Sequence, residues 1–501
     1  MTPGLRIDPD GPIGGKASLG LAGGFPLRPG LEPTLTGPDR RVRRPVERSM
    51  EHQGRGHSRG SLAEGAAGQQ RDRGQQKQGA HGLSMPVFHA TGNPLPLPLG
   101  SLVRLSPSCV GRGLLFPTDV DLFNRPDGLQ DIRDKVIAGR RLTPDDGLRL
   151  FQTRDLNALA SLADFANQRR NGRRASYILN RYINYSNYCI LSCQFCAFSR
   201  KKRDNDGFQL TEEQMVTKAR EALALGITEL HIVGGLHPSL PFSHYTGFLR
   251  ALKAVDPRLQ LKCFTAVEIL HLAWLAKMSV RDTLQELKAA GLESLTGGGA
   301  EIFRKEVRSR IATGKESGAE YLDVHGTWHE LGGRSTCTML YGHVESLEDR
   351  VDHLDQLRRQ QDRSRGFTGF IPLPYQPENN RMPVQHAPSG YDQLRTIAVS
   401  RLYLDNMDHI TAYWVGMGLK MAQVALSHGA DDLHGTILEE HIFHMAGAKS
   451  PQMTAERDLV RAIREAGREP VQRNTFYEPL RVLPSEPRAE GDVLPHGVAL
   501  A

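Results

Sequence analysis

The sequence predicts an α/β fold: a (β/α) barrel carrying a small N-terminal helical extension and a disordered basic head. Three observations lead there. From residue 176 onward, β-type and helical segments alternate at crossover spacing, which argues a parallel sheet with helical connections. Their number and total length favour a closed or nearly closed barrel over an open doubly wound sheet. Three clustered cysteines, a diglycine, a glutamate and a triple glycine all fall at or just after predicted strand ends, where such a barrel builds its site.

The chain has 501 residues with a hydrophobic fraction of 39%, low enough to imply that part of it does not fold. Residues 1–84, built from Gly, Pro, Arg, Gln and Ser, are that part: no helical or strand period survives, and too few apolar side chains exist to offset the entropy of ordering. Composition becomes ordinary at Met85, which also suits an over-extended reading frame upstream. Residues 85–126 read as a linker. The net charge of +7 draws on the arginines of the head, so a solvated tail is favoured over a nucleic-acid arm. There is no run of about 18 apolar residues to span a membrane and no apolar core of a secretory signal, so the expected compartment is the cytoplasm.

Residues 127–175 form the helical extension. An amphipathic helix is predicted over 129–137, a second opens at Thr143-Pro144-Asp145-Asp146 with proline at the first helical position and acids in the first turn, and a third covers 155–168. The core barrel is assigned to 176–410. Its first strand, 176–185, is rich in aromatic and β-branched residues. A helix over 211–225, a buried strand over 229–235 and a helix over 245–255 follow. The next strand is placed at 259–269, then a helix at 280–290 and a short strand at 291–295 running into Gly297-Gly298-Gly299. Later strands are expected at 335–341, 366–373 and 410–415, with helices at 347–359 and 391–404 between them. Residues 411–485 complete the barrel, and 486–501 are a tail.

Of six cysteines, three crowd into C-I-L-S-C-Q-F-C as Cys189, Cys193 and Cys196. Without an export signal this pattern fits metal or redox chemistry better than disulfides. Thiolates favour zinc or iron-sulfur centres, and a closed structural zinc site needs four ligands, so three leave the centre one short. Cys109, Cys263 and Cys337 stand alone and are expected to be small buried hydrophobes.

The spacing C-x3-C-x2-C, with Phe195 before the last cysteine, resembles the signature of the radical S-adenosylmethionine enzymes. That resemblance implies one [4Fe-4S] cluster per chain on the three cysteines. Its fourth iron would bind the amino and carboxylate groups of S-adenosylmethionine, which one electron from a flavodoxin- or ferredoxin-type donor would cleave to methionine and a 5′-deoxyadenosyl radical. Gly234-Gly235 matches the family's glycine-rich segment, where a missing Cβ lets the methionine end approach. Glu268 is a candidate for the cofactor's ribose or amino group, alongside a plain core-edge salt bridge.

The likeness extends from about residue 129 to 480. N-R-Y-I-N-Y-S-N (180–187), G-G-L-H-P (234–238), F-T-A-V-E-I (264–269) and G-G-G-A-E-I (297–302) resemble the branch of menaquinone futalosine-pathway and deazaflavin enzymes. H-E-L-G-G-R-S-T (329–336), Y-G-H-V-E (341–345), D-D-L-H-G-T (431–436) and E-E-H-I-F-H-M-A-G-A (439–448) narrow it to the aminofutalosine synthase family. The resemblance implies a transferase that adds the adenosyl radical to the enol ether of 3-[(1-carboxyvinyl)oxy]benzoate, with arene rearrangement and loss of carbon dioxide, giving 6-amino-6-deoxyfutalosine. The difficult chemistry would belong to the cofactor, and the protein would orient the alkene.

An aromatic dicarboxylate needs cationic or hydrogen-bonding partners, and Arg334 with Ser335 is the first expectation because guanidinium pairs carboxylate bidentately. His237 and His343 are further candidates beside the plainer reading of histidines satisfied by backbone. His325 with His329, and His441 with His444, have near-helical spacing but no evident third zinc ligand, and are expected on solvated helix faces. Tyr182 departs from the family's N-R-H-I-N pattern, which bears on substrate positioning. Two alternatives stay open: a sister radical enzyme, either the dehypoxanthine futalosine cyclase or the deazaflavin-precursor synthase, and a metal-bound nucleic-acid interaction protein using the basic head.

Overall fold

The computed structural model describes residues 128–483; the expected head, the linker to residue 126 and the tail lie outside the described residues. Three helices lead in: α1 (Gln130–Ile137), α2 (Pro144–Gln152) and α3 (Leu156–Asn171). The start of α2 follows its sequence. Thr143 Oγ1 accepts from the Asp146 amide at 3.2 Å while the Asp146 carboxylate accepts from the Thr143 amide at 2.9 Å, satisfying two amides that the first turn leaves open.

The sheet then begins with β1 (Arg174–Ile178) and β2 (Asn180–Ile183), followed by α4 (Glu212–Leu223), β3 (Glu229–Ile232), α5 (Phe242–Val255), β4 (Gln260–Cys263), α6 (Ala266–Ala276), α7 (Val280–Ala290) and β5 (Ser294–Leu295). Next come α8 (Lys305–Ile311), α9 (Gly318–Glu330), β6 (Arg334–Tyr341), α10 (Leu347–Ser364), β7 (Phe367–Pro374), α11 (Gly390–Tyr403) and β8 (His409–Ile410). Strands β2 to β8 are hydrogen-bonded in chain order, and each neighbouring pair is parallel. Leu, Ile and Phe side chains between sheet and helices, such as Leu230, Leu261, Phe248 and Leu287, are fully buried, as expected when helical crossovers cover a parallel sheet.

The remaining elements are α12 (Trp414–Met417), α13 (Leu419–Ala425), β9 (Asp432–Gly435), α14 (Ile442–Met445), α15 (Glu456–Glu465), β10 (Glu469–Arg473) and β11 (Pro479–Val482). Strand β9 bridges the two ends of the seven-stranded sheet. It pairs parallel with β1; just past it the Ile437 carbonyl accepts from the Tyr182 amide of β2 at 2.7 Å, and beyond β8 the Ala412 amide donates to Asp432 at 2.8 Å and the Asp431 amide to Ile410 at 3.1 Å. Strand β10 lies parallel on the other side of β1, with β11 antiparallel at the edge.

Three expectations need correction. The strand placed at 176–185 is two strands, β1 and β2: Leu179 separates a segment paired to β9 and β10 from one paired to β3. The strand placed at 259–269 ends at Cys263, and α6 starts at once, because Thr265 and Glu268 form a capping box that outweighs the apolar run. The strand placed at 410–415 stops at Ile410, with a short helix from Trp414.

The strand-start end of the barrel is closed by chain rather than solvent. The segment after β10 enters it, where the Arg473 guanidinium donates to both Asp432 oxygens at 2.6 and 3.1 Å and Thr475 Oγ1 donates to Glu229 at 2.9 Å. Asn180 Nδ2 occupies the other Glu229 oxygen at 3.0 Å. Tyr477 stacks on His409, ring centroids 4.2 Å apart, and on the Arg473 guanidinium at 3.8 Å. The opposite end, where the parallel strands finish, is open.

Candidate active site

One cavity of about 270 Å³ occupies that open end. Cys189, Cys193 and Cys196, from the long loop after β2, line it together with Gly234 and Gly235 after β3, Glu268 from α6 and the triple glycine after β5. The cysteine loop is tied down at several points. The Cys189 amide donates to Arg200 at 2.9 Å, Ile190 to Leu236 at 3.0 Å and Gln194 to Ile311 at 2.7 Å. Lys201 Nζ collects the carbonyls of Cys189, Ile190 and Leu191 at 2.8, 3.1 and 2.7 Å, which bends the loop back on itself. Such over-determination is what holds a ligand set before its ligand arrives.

Burial raises the thiol pKa values of Cys189 and Cys193, the latter to about 12, so thiolates form here only against a positive centre. Among the described residues no three His, Cys, Asp or Glu side chains converge on a single-ion site. Three thiols lining one cavity suit an iron-sulfur cluster, in which each thiolate takes a different iron. The donor set fits a [4Fe-4S] cluster with one iron free of protein ligands.

Across the cavity, Gly234 and Gly235 are pressed against the cysteine loop. A Cβ on Gly235 would stand 2.3 Å from the Tyr188 carbonyl oxygen, and one on Gly234 2.6 Å from Cζ of Tyr185. Only glycine permits this approach. The Glu268 carboxylate pins the arrangement. One oxygen accepts from the Tyr185 hydroxyl at 2.7 Å and the Gly234 amide at 3.1 Å, and the other from the Thr265 amide and hydroxyl, both at 2.8 Å. Burial raises the Glu268 carboxyl pKa although these donors pull it down. With four donors engaged, Glu268 is built to hold the Gly234 turn against α6.

On the far wall, Leu340, Ile371, Leu373, Pro374 and Phe443 make an apolar surface. Polar groups edge it. Tyr182 stacks on His231 with centroids 4.2 Å apart, and its hydroxyl lies 3.3 Å from Nε2 of His434. Burial keeps both histidines neutral, His434 down to about 4 and His231 well below the ordinary range. Lys315 is the one Lys or Arg among the lining residues; it is paired with Glu301 and stands 5.6 Å from the centroid of Phe195, inside the cysteine motif.

The expected substrate groups fare differently. Arg334 is the first residue of β6 and exposed, and Ser335 follows it, wholly buried. A strand start lies at the floor end of a parallel barrel, so neither reaches the cavity. Arg334 instead edges a separate polar depression with Asp362, Arg365 and His409. Ser335 Oγ sits between Nδ1 of His325 and Nε2 of His329, each at 2.8 Å. Those histidines are not on a solvated face: their exposures are 0% and 8%. His237 is also absent from the cavity wall, and its Nδ1 accepts from the Ser239 and Leu240 amides at 3.2 and 3.1 Å. His343 is held by the Val344 amide at 2.7 Å and by Glu345. His441 and His444 pair with Glu439 and Glu440 at 3.1 and 3.0 Å. Cys263 and Cys337 are single and fully buried, and Cys109 lies outside the described residues.

Sequence reasoning missed Tyr413, His434 and Glu440, which come from the last third of the chain and line the cavity. The D-D-L-H-G-T run carried the signal for His434. It reads as a strand only once β9 is known to close the ring.

Known proteins resemble the chain over most of the described residues. Residues 183–357 match the radical SAM superfamily, and residues 364–486 the CofH/MqnC C-terminal region. The chain is 43% identical over 355 residues to the aminodeoxyfutalosine synthase of Thermus thermophilus, covering 70% of this chain and 95% of that protein. The aminodeoxyfutalosine synthase of Streptomyces coelicolor is 43% identical over 363 residues, covering 70% and 94%. The cyclic dehypoxanthine futalosine synthase of the same organism is 39% identical over 358 residues, covering 71% and 89%. Among solved structures, methylornithine synthase (PylB) superposes with a TM-score of 0.56 at 18% identity, covering 68% of this chain and 97% of that one. The FeFe-hydrogenase maturase HydG from Carboxydothermus hydrogenoformans gives 0.54 at 15%, covering 72% and 83%. These two likenesses show the fold.

Proposed function

The chain belongs to the radical S-adenosylmethionine superfamily, and from that premise we propose that it catalyses the aminodeoxyfutalosine synthase reaction. In it the 5′-deoxyadenosyl group of S-adenosylmethionine joins the enol-ether carbon of 3-[(1-carboxyvinyl)oxy]benzoate, the arene migrates and carbon dioxide leaves. When bound, a [4Fe-4S] cluster on Cys189, Cys193 and Cys196 would supply the electron that cleaves S-adenosylmethionine. The observation that carries the reading is the meeting of the three cysteines with Gly234 and Gly235 across one cavity at the strand ends.

The chain's own residues supply position. Bare backbone at Gly234 and Gly235 lets the cysteine loop pack against it, which sets the cysteines beside the surface that receives the methionine end of S-adenosylmethionine, and Glu268 fixes that backbone through Tyr185 and the Gly234 amide. The apolar wall of Leu340, Ile371, Leu373 and Phe443 receives the benzoate ring and excludes water from a reactive intermediate. Among the described residues no arginine lines the cavity and its one lysine, Lys315, is paired with Glu301, so the substrate carboxylates are met by neutral hydroxyls such as those of Tyr182 and Tyr413. No helix among the described residues is long and apolar enough to cross a membrane. The substrate is a small molecule that enters the open end of the barrel.

The sister cyclase uses the same fold, and the fate of the adenosyl group separates the two. With anaerobically reconstituted protein, dithionite, the enolpyruvyl benzoate and S-adenosylmethionine labelled in its ribose, mass spectrometry should find the label in a decarboxylated, adenosylated product. Label only in free 5′-deoxyadenosine would move the assignment to another radical reaction.

A further inference from the structure

The cluster implied by the reaction proposed above has to be reduced by one electron from outside before it can cleave S-adenosylmethionine, and the structure points to where that electron can enter. Among the described residues the cysteines other than the three in the cavity are single and fully buried, so no second cluster lies between the cavity and the surface there. The cysteine loop itself reaches the surface. Ile190, next to Cys189, is 50% exposed, and Ser192, next to Cys193, is exposed.

Cations surround that exposed tip from three parts of the chain. Lys201 binds the loop carbonyls from one side, and Lys202 and Arg203 continue outward from it, both exposed. Arg381 closes the other side, its amide donating to Gln194 at 2.7 Å and its guanidinium to Ser192 at 2.8 Å. Arg310 is exposed beside Ile311, whose carbonyl receives the Gln194 amide. None of Lys201, Lys202, Arg203, Arg310 and Arg381 has an ion-pair partner among the described residues, whereas nearby Arg200 is neutralised by Asp206 at 2.6 Å. Cations without ion-pair partners flanking an apolar tip beside the cysteines, with Lys202 Nζ held by Ser239 Oγ at 2.8 Å and Asp204 taken up by the Lys201 amide, are complementary to an acidic surface carrying an exposed redox group.

We propose that this rim, Lys202, Arg203, Arg310 and Arg381 around Ile190, is the docking surface for a small acidic one-electron carrier. The proposal rests on the radical reading of the site. One electron leaves the carrier, which is oxidised by one unit, and enters the cluster held by the three cysteines, which is reduced by one; no atom is transferred. Lys201 and Arg381 also brace the loop, so the test leaves them in place and reverses charge at the three that do not.

The probe is a purified acidic flavodoxin, and the protein is the reconstituted full chain. Binding is read by calorimetry with oxidised flavodoxin, and cleavage of S-adenosylmethionine is driven either by reduced flavodoxin or by dithionite. For K202E/R203E/R310E the expected result is roughly tenfold weaker flavodoxin binding at low salt, a difference that narrows as salt shortens the Debye length. The flavodoxin-driven rate should fall in parallel, dithionite-driven cleavage should be unchanged, and the charge-preserving K202R/R203K/R310K protein should bind as wild type. Wild-type flavodoxin affinity in the charge-reversal protein overturns the proposal, as does binding of an RNA hairpin at this rim with no binding of flavodoxin. A wild-type protein inert with dithionite would instead fail the reaction proposed above, while the calorimetry, which needs no turnover, still decides the docking surface.

Discussion

The hydroxyl of Tyr185 donates to Glu268 at 2.7 Å, joining the loop that carries the cysteines to the helix behind the glycine turn. Tyr185 is fully buried and Glu268 2% exposed, so the bond cannot be replaced by water. Tyr185→Phe leaves a buried carboxylate one donor short, which destabilises a protein by about 1–3 kcal/mol. The expected outcome is an unfolding free energy lower by about that amount, read as a lower urea midpoint. Weaker binding of S-adenosylmethionine should accompany it, because the Gly234 amide loses a fixed partner. Equilibrium unfolding with ligand titration checks both, and an unchanged affinity would separate Glu268 from the cofactor side of the cavity.

Gly235→Ala forces a Cβ to within 2.3 Å of the Tyr188 carbonyl oxygen and 2.8 Å of its carbon. Both are backbone atoms of the residue before Cys189, so the ligand loop itself has to move. Expected are loss of most reconstituted iron per chain and loss of the iron-sulfur charge-transfer absorbance. Gly298→Ala is the contrast. Its Cβ would meet only the Thr265 methyl at 3.1 Å, a side-chain atom, and iron content should stay near wild type.

Arg334 shows where reading the sequence stopped short. The parallel order of strands already implies that every strand start lies on the floor, so the first residue of β6 could not reach a site at the strand ends; the fit of a guanidinium to a carboxylate says nothing of where in the barrel it stands. The cysteines, Gly234 and Gly235 were legible because their chemistry is local, set by spacing and by a missing Cβ. His325 and His329 were not, because a helix with little amphipathic contrast does not reveal which face is covered, and what covers them is Ser335, Ser364 and Phe367. His434 and Tyr413 depend on the closure of β9 onto β1, a pairing across some 250 residues that no local pattern encodes.

Opposite outcomes follow for adjacent residues. Arg334→Ala changes an exposed side chain on the wrong face and should leave kcat and KM within about twofold and stability within about 0.5 kcal/mol. Ser335→Ala removes the shared partner of two buried imidazoles and should destabilise by about 1–3 kcal/mol while kcat is retained in the folded protein. Steady-state kinetics beside thermal unfolding distinguishes them.

The floor of the barrel sets the acid limit of stability. Burial alone would raise the Asp432 carboxyl, but Arg473 overrides it and takes the pKa down to about 2; Glu229, equally buried, is brought to about 2 by the fields of Lys262 and Arg473 and by the Asn180 hydrogen bond. A carboxylate whose folded pKa lies below its unfolded value of 3.8 or 4.5 stabilises the fold above that value, and the contribution disappears as pH falls toward 2. Each is worth on the order of 2–4 kcal/mol at neutral pH. Stability should therefore be flat above about pH 5 from these groups and fall steeply between about 4.5 and 2. Arg473→Met strands the Asp432 charge at 0% exposure and should destabilise by about 3–5 kcal/mol at pH 7. Because Asp432 then has no guanidinium, its pKa rises, and the acid limb of the variant should begin at higher pH than in wild type. Urea midpoints measured from pH 3 to 7 on both proteins test this, and parallel curves would show that the pair contributes nothing to the floor.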